Sequence, residues 1–235
     1  MSLFAATVKL DVRLQARSKL YTIGMGVAIL MGLIGRFLFS AEHAGPLLAA
    51  FYLLGIGGTT YVFSASLVLL DKSQGTLQAL QTTPLTSSAY ISSKVVTLTA
   101  FAMLEGTIVY AVAFADAPLA PWPLATGVFF LGAFYTLVGL GQVASHHSVL
   151  AFLMPGALVV GSLLQLPVLY VLGVGPPMVW HLIPTQGPVL LMLAASEPLT
   201  PWQWAYAIGV SAASLAGAGW WARHRFRRHI ALQDG

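Results

Sequence analysis

Charged side chains are scarce in this sequence. Of its 235 residues only 8% are Asp, Glu, Lys or Arg, whereas 57% are hydrophobic, and the mean hydropathy is +0.82. Soluble domains carry about 25% charged residues, so this chain lacks the polar groups that a water-exposed surface needs. The composition excludes an ordinary soluble domain and indicates an integral membrane protein.

Cysteine is absent, which excludes disulfide bonds and thiolate metal sites. The sequence also lacks a G-x-x-x-x-G-K-[ST] motif, so it has no P-loop for ATP. The adjacent His146 and His147 would face different ways on a helix, and no third metal ligand accompanies them. We therefore expect no catalytic residue, no metal site and no cofactor bound by this chain.

Six apolar segments are each long enough, at about 20 residues, to cross a bilayer as a helix. They are 21–39, 46–70, 91–114, 124–143, 149–174 and 202–222. Open strands cannot span lipid because their edge groups would remain unpaired, and a membrane barrel would show short alternating segments instead. The sequence therefore predicts an all-α membrane protein with six transmembrane helices in a single domain, 1–235.

Lys and Arg are distributed unevenly over the connections between these segments. Basic residues precede the first span, bracket the polar segment 71–94 as Lys72 and Lys94, and follow the last span in the tail 223–235. Three connections contain none: 40–45, 115–123 and 175–201. Because basic loops stay on the cytoplasmic side, both termini and segment 71–94 are predicted to be cytoplasmic. The net charge of +4 thus indicates orientation, and no nucleic-acid partner is expected.

Two segments outside the six spans have patterns of their own. In residues 1–19, Lys9, Arg13 and Arg17 recur every four residues and share one helical stripe. This predicts an amphipathic helix along the inner membrane surface with its basic side toward lipid phosphates. The alternative is a strand, because Val8, Leu10, Val12 and Leu14 alternate with polar residues. Residues 175–201 are apolar but broken by proline and glycine, which predicts a re-entrant or interfacial helical hairpin on the outer side.

Segment 71–94 is the longest polar interruption in the chain. Thr76 is placed to cap a short helix that carries Leu77 and Leu80 on one face, and Pro84 ends that helix. A short helix with a protruding apolar pair suits a shallow groove on a soluble partner. A solvated loop whose leucines rest on the bilayer surface fits this spacing equally well.

The same segment resembles the cytoplasmic loop of the ABC-2 type transporter permeases. Members of that family typically have an acidic residue, Gly-Thr-Leu, a leucine-containing turn, Thr-Pro-Leu and a lysine at the next helix. The matching positions are Gly75, Thr76, Leu77, Leu80, Thr83, Pro84, Leu85 and Lys94. The N-terminal helix, the six spans and the broken outer hairpin resemble the family too, and most of all its fluoroquinolone-type drug-export subgroup. The acids often found around Gly-Thr-Leu are Gln74 and Gln78 here, so docking would depend more on shape and apolar contact.

The resemblance implies a membrane-spanning permease subunit of an ATP-binding cassette exporter in the bacterial cytoplasmic membrane. It implies that a separate ATPase subunit binds ATP and Mg and contacts the loop at Gly75, Thr76, Leu77, Gln78, Leu80, Thr83, Pro84 and Leu85. Two permease chains, identical or related, would form the pathway for a drug-like or lipid-like compound leaving the cytoplasm or the inner leaflet. The chain itself would then not be an enzyme.

Two charged residues lie deep inside predicted spans. Arg36 is sixteen residues beyond Leu20, and Glu105 is fourteen residues beyond Ile91, which gives depths of about 24 and 21 Å. Isolated charges in a bilayer cost at least ~2.5 kcal/mol each. We therefore predict that Arg36 pairs with Glu105 and fixes span one against span three or against a second copy.

Aromatic and small residues provide further candidates. Phe51, Tyr52, Tyr61 and Phe63 in span two are candidates for lining a pathway, and equally for core or lipid-facing positions. In span six, small residues recur every four positions, at Gly209, Ala213 and Gly217. This spacing predicts a packed helix–helix face.

Other functions compete with the exporter interpretation. A member of the same family with a different role would move lipid-linked glycans or haem-pathway intermediates. An ion-gradient-driven secondary transporter would need titratable groups near the midplane, where Glu105 is the one acid. An intramembrane enzyme is disfavoured because the sequence has no His/Glu metal motif, Ser/Lys pair or paired intramembrane carboxylates.

Overall fold

The computed structural model describes residues 3–39, 43–77 and 85–230. Within those ranges the chain is helical and contains no β-strand, which confirms the all-α class. The helices are α1 (Leu3–Arg17), α2 (Leu20–Leu38), α3 (Ala44–Ser73), α4 (Ser87–Ala113), α5 (Pro121–Val143), α6 (Val149–Val171), α7 (Pro177–Trp180), α8 (Gln186–Leu193) and α9 (Pro201–His229). Helix α3 contains a π-helical turn, Tyr52–Ile56, and α6 contains another, Val159–Leu163.

Hydroxyl side chains mark the start of three long helices. Thr86 accepts a hydrogen bond from the backbone N–H of Ala89 at 3.1 Å and so begins α4. Ser148 caps α6 in the same way, and Thr200 with Gln203 forms a capping box at α9. These side chains satisfy N–H groups that have no partner inside the helix, which explains why the helices begin at these residues.

Helix α5 lies at the centre of the bundle. It packs against α3, α4, α8 and α9, and 78% of its apolar window is buried. Glycines allow these close approaches: a Cβ on Gly139 would stand 2.6 Å from the carbonyl oxygen of Tyr61, and one on Gly127 would stand 2.8 Å from that of Pro188. Such small residues let helix backbones approach closely in lipid, where packing drives association.

Helices α2 and α6 lie at the periphery. Only 28% of the apolar window of α2 and 22% of that of α6 are buried. Helix α2 contacts α4 through Gly24, Gly32 and Gly35, while side chains such as Phe37 on α2 and Leu158 on α6 point away from the bundle. The apolar faces of both helices therefore require lipid or another protein chain as cover.

Five helices of the described residues, α2 to α6, are long and apolar enough to cross a membrane. The chain is therefore a multi-pass membrane protein. The sixth predicted span, 202–222, lies within α9, a continuous helix of 29 residues that is less apolar than the other five. At about 1.5 Å per residue, α9 is about 44 Å long, which exceeds the ~30 Å hydrocarbon core of a bilayer.

The segment predicted as an outer hairpin contains two different helices. Every residue of α8 is buried, and α8 packs against α5 and α9, whereas α7 has no buried residue. Thr185, which precedes α8, donates a hydrogen bond to the carbonyl oxygen of Leu164 at 2.6 Å. Helix α8 is thus an interior helix of the bundle, and α7 is a surface turn.

The packed face predicted for the last span is wrong for contacts with the described part of this chain. Gly209, Ala213 and Gly217 are exposed, and a Cβ added at either glycine would meet no described atom within 4 Å. The buried face of α9 instead includes Ala207 and Ser211. Positions two residues apart on a helix differ by about 200°, so the small-residue stripe points away from the bundle.

Candidate functional site: the buried Lys94 cluster

The two ends of the polar segment 71–94 meet at a group of buried charges. Lys94 in α4 places its Nζ 3.1 Å from Oδ1 of Asp11 in α1 and 3.2 Å from Oδ2 of Asp71 in α3. The side chain of Lys94 is only 2% exposed, and the two aspartates are buried as well. One ammonium group therefore joins three helices.

Hydrogen bonds engage the remaining polar atoms of this group. The Tyr90 hydroxyl donates to Asp71 Oδ2 at 2.6 Å, and the Lys94 ammonium stands 4.5 Å from the centre of the Tyr90 ring. Ser93 donates to Asp11 Oδ2. We refer to Asp11, Asp71, Tyr90, Ser93 and Lys94 as the Lys94 cluster. A buried ion pair offsets its desolvation only when additional hydrogen bonds satisfy its polar atoms, and these bonds supply them.

Polar side chains hold the N-terminal helix α1 against the bundle. One turn beyond Asp11, Gln15 is fully buried, donates to Thr97 Oγ1 at 2.7 Å and accepts from the Tyr21 hydroxyl at 2.8 Å. The predicted basic stripe is exposed, at Lys9, Arg13 and Arg17. The helix predicted in this region is confirmed, and its polar face, rather than an apolar one, makes the contact with α4.

Lys72, next to the Lys94 cluster, caps the C-terminal end of α5. Its Nζ donates to the carbonyl oxygens of Val143, Ala144 and His146, at 3.1, 2.8 and 2.7 Å. Arg225 of α9 reaches the same end of α5 and donates to the Ser145 hydroxyl. Cations at a helix C-terminus satisfy free carbonyls and interact favourably with the helix dipole. These contacts join the ends of α3, α5 and α9.

We expect Lys72→Ala to lower the free energy of unfolding by about 2 kcal/mol, because hydrogen bonds to a charged group contribute about 1.5–3 kcal/mol. Thermal unfolding of the detergent-purified chain measures this change. Lys9→Ala removes an exposed lysine and is the matched control. Equal stability of the two variants would contradict the capping role.

The structure describes part of the loop predicted to contact an ATPase. The described positions are Gly75, Thr76, Leu77 and Leu85, whereas Gln78, Leu80, Thr83 and Pro84 lie outside the described residues. Gly75 has a φ of 69°, a left-handed conformation that favours glycine, and it follows the end of α3. Leu77 and Leu85 are each 4% exposed and belong to the main core. The expectation that Leu77 protrudes is therefore wrong, because both ends of the loop turn back onto the bundle.

The predicted pair of Arg36 with Glu105 does not form within this chain. Arg36 Nη1 instead lies 3.1 Å from Asp116 Oδ2, and both side chains are exposed. The Oε1 atom of Glu105 lies against Gly24, about three helical turns before Arg36. The prediction assumed that the first and third spans begin at the same depth in the membrane. Helix α4 instead extends beyond the start of α2 toward the Lys94 cluster, so Glu105 lies level with the beginning of α2 and Arg36 lies near its end.

The four aromatic residues considered for a pathway have separate surroundings. Tyr52 and Tyr61 are buried, and each hydroxyl donates a hydrogen bond of 2.7 Å, to α4 and α5 respectively. Phe63 packs near Phe101, at 6.1 Å between ring centres, and Phe51 is half-buried. Their present contacts are those of helix packing, and a pathway role for them stays a prediction.

Asp11 is a member of the cluster that sequence reasoning missed. A signal existed, since Asp11 is the only acid among the first 41 residues and its charged neighbours are basic. Its partner was not readable from the sequence, because Lys94 lies 83 positions further along the chain.

Comparison with known proteins gives one family and two relatives. A sequence model of the Fluoroquinolones export permease protein family matches residues 2–234. Two curated proteins, from two strains of Mycobacterium tuberculosis, are each described as a fluoroquinolones export permease protein. Each is 28% identical to this chain over 244 residues, which cover 100% of this chain and 99% of the relative.

Proposed function

Because the chain belongs to the Fluoroquinolones export permease protein family, we propose that it is the membrane-spanning permease of an ATP-binding cassette exporter. It moves a small hydrophobic or amphipathic compound, drug-like or lipid-like, out of the cytoplasm or the inner leaflet. A separate ATPase subunit binds ATP and Mg. The observation that carries this proposal is the Lys94 cluster, which ties both ends of the polar loop to two membrane-spanning helices.

The cluster provides a mechanical connection between the loop and the spans. A partner that moves the loop acts at once on Asp71 at the end of α3 and on Lys94 in the first turns of α4. Through Asp11 the same movement reaches α1. Leu77 and Leu85 anchor the ends of the loop in the core, so the residues between them are left to contact the ATPase.

The sixth crossing is α9, and two contacts support this. Trp122 at the start of α5 stacks on Trp204 at the start of α9, with 5.0 Å between the ring centres. Near the other end, Arg225 of α9 reaches Ser145, just beyond the end of α5. Helix α9 therefore runs beside α5 along the full length of α5. Helix α5 is itself long and apolar enough to span a membrane.

Both termini and the loop lie on the cytoplasmic side of the bacterial inner membrane. The Lys94 cluster, Lys72 and Arg225 gather at one end of the bundle, and basic residues favour the cytoplasmic side. Helix α1 lies along the inner membrane surface, with its exposed basic stripe toward lipid phosphates.

Two permease chains form the complete transporter, and the second is a copy of this chain or a related one. The open apolar faces of α2 and α6 support this arrangement, since less than a third of either apolar window is buried within one chain. A partner chain that covers these faces would complete their packing.

Affinity capture from native membranes in mild detergent, followed by mass spectrometry, tests the ATPase coupling. We expect the wild-type chain to bring down an ATPase subunit that contains a P-loop, and Leu80→Asp to lose it, because a charge disrupts an apolar docking contact. His147→Asp is the matched control. It adds the same charge at an exposed position in the turn between α5 and α6 and should retain the ATPase.

The possible outcomes separate the parts of this proposal. Capture that persists in Leu80→Asp would remove Leu80 from the docking contact and leave the exporter intact. An intact wild-type chain that brings down no ATPase, and whose transport responds to an ion gradient instead, would favour a secondary transporter.

A further inference from the structure

Glu105 is a buried acid that the proposed coupling does not use. It lies in α4 with 2% of its surface exposed, and its Oε2 accepts a hydrogen bond from Thr59 Oγ1 at 2.9 Å. Among the described residues its Oε1 has no hydrogen-bond partner, and it lies against α2 at Gly24. Beside Glu105 is a cavity of about 10 Å³, which is lined by apolar residues of α2, α3 and α4 and by Thr59.

The described residues provide no cation for this carboxyl group. Lys94 lies eleven positions away on the same helix, about 16 Å at 1.5 Å per residue, and is engaged by two aspartates. Arg36 binds Asp116 instead. Apolar residues of similar volume are often at least as stabilising as buried charges, and an unpaired intramembrane acid indicates a functional site. Packing therefore does not explain Glu105.

An apolar groove lies next to Glu105, between α1, α2 and α4. Its volume is about 360 Å³, within the range of about 300–1,000 Å³ that is usual for small-molecule sites. Tyr21, Met25, Phe101 and Leu104 contribute to its lining, and the rings of Tyr21 and Phe101 are 4.8 Å apart. A Cβ built on Gly24 would meet both Phe101, which lines the groove, and Glu105, so the groove and the acid adjoin the same glycine of α2.

The cover over Glu105 is a peripheral helix. Only 28% of the apolar window of α2 is buried, and glycines of α2 face side chains of α4. On the opposite side, Thr59 follows the π-helical turn Tyr52–Ile56 by three residues, and such turns are frequent at functional sites. A small displacement of α2 would therefore open a path from the groove to Glu105.

We propose that this groove and Glu105 bind a cationic amphipathic amine, and that this amine is the class of compound the protein exports. The apolar or aromatic part of the compound lies against Tyr21 and Phe101. Its ammonium group donates to Glu105 Oε1, while Thr59 positions the carboxylate through Oε2. The inference rests on the proposed export function, and it adds the charge of the substrate and the residue that selects it.

Binding to the purified full-length chain in lipid nanodiscs tests this without an ATPase. The probes are dansylcadaverine, which carries an ammonium group, and its N-acetyl derivative, which is neutral, both followed by dansyl fluorescence. We expect the wild type to prefer the cation by about tenfold or more, as a charge-assisted hydrogen bond provides. Glu105→Gln should abolish this preference and leave the affinity for the neutral probe unchanged. Asp116→Asn, which removes an exposed carboxylate, should bind as the wild type does.

Equal affinity of the wild type for the two probes, or an unchanged preference in Glu105→Gln, would overturn the inference. If Glu105→Gln binds neither probe, Thr59→Val decides the matter: selective weakening for the cation supports the site, and equal weakening for both overturns it. Selective binding without ATP-driven export of the cation would leave the binding site standing and overturn the assignment of this amine class as the exported compound.

Discussion

Replacing Lys94 by methionine is expected to destabilise the protein by about 3–5 kcal/mol, because removal of one partner from a buried ion pair leaves an uncompensated charge. Two carboxylates, those of Asp11 and Asp71, would lose the same ammonium group. Both of these side chains are buried, at 7% and 8% exposed. Thermal unfolding of the detergent-purified chain, together with the amount that accumulates in the membrane, measures the effect.

A control and a rescue distinguish this loss from a general effect of removing a lysine. Lys9→Met removes an exposed lysine of α1, and its stability should change by less than about 0.5 kcal/mol. Adding Asp11→Asn and Asp71→Asn to Lys94→Met removes the unpaired charges and should restore much of the stability. A Lys94→Met chain as stable as Lys9→Met would show that the Lys94 cluster does not hold the three helices together.

The rescued triple variant also tests the mechanical role of the cluster. If the cluster transmits loop movement to the spans, a triple variant that folds and still captures the ATPase should export its substrate more slowly. Transport into inverted membrane vesicles, compared with ATP hydrolysis by the same complex, measures this coupling. Unchanged transport per ATP would limit the cluster to a structural role.

Gly139→Ala is expected to destabilise the chain by about 1–3 kcal/mol, the usual cost of overpacking a core, and to lie toward the upper end of that range. The added Cβ would stand 2.6 Å from the backbone carbonyl oxygen of Tyr61 and closer still to the Ser64 hydroxyl. A backbone atom cannot rotate away as the end of a flexible side chain can. The methyl group must therefore push α3 away from α5, the central helix.

Two other glycines supply matched controls for this change. At Gly209 and Gly217 of α9, an added Cβ would meet nothing within 4 Å, so alanine there should be neutral or slightly stabilising in the isolated chain, since alanine favours helix more than glycine by about 1 kcal/mol. The midpoint of thermal unfolding separates the variants. A Gly139→Ala chain as stable as the two controls would mean that α3 and α5 do not approach as closely as described.

Local features of the sequence predicted local features of the fold well. The fourth span was expected at 124–143, and α5 covers Pro121–Val143, because a run of apolar residues without proline defines a span. The N-terminal helix was expected because basic residues recur at every fourth position, and it is present. The burial of Leu77 was missed because a leucine next to a polar loop has the same local pattern whether it faces a partner or its own core.

Composition and order along the chain by themselves determined that this is an all-α, multi-pass membrane protein with a polar loop between its second and third spans. They did so because the free-energy cost of placing polar groups in lipid depends on the composition and length of each segment, and not on its neighbours. Only the tertiary structure decided which charges meet. Lys94 forms ion pairs with Asp11 and Asp71, and Arg36 forms one with Asp116 instead of Glu105. These pairings follow from the relative depth of the helices, which depends on how their surfaces pack. The sequence pattern of a single helix does not indicate its depth relative to another helix.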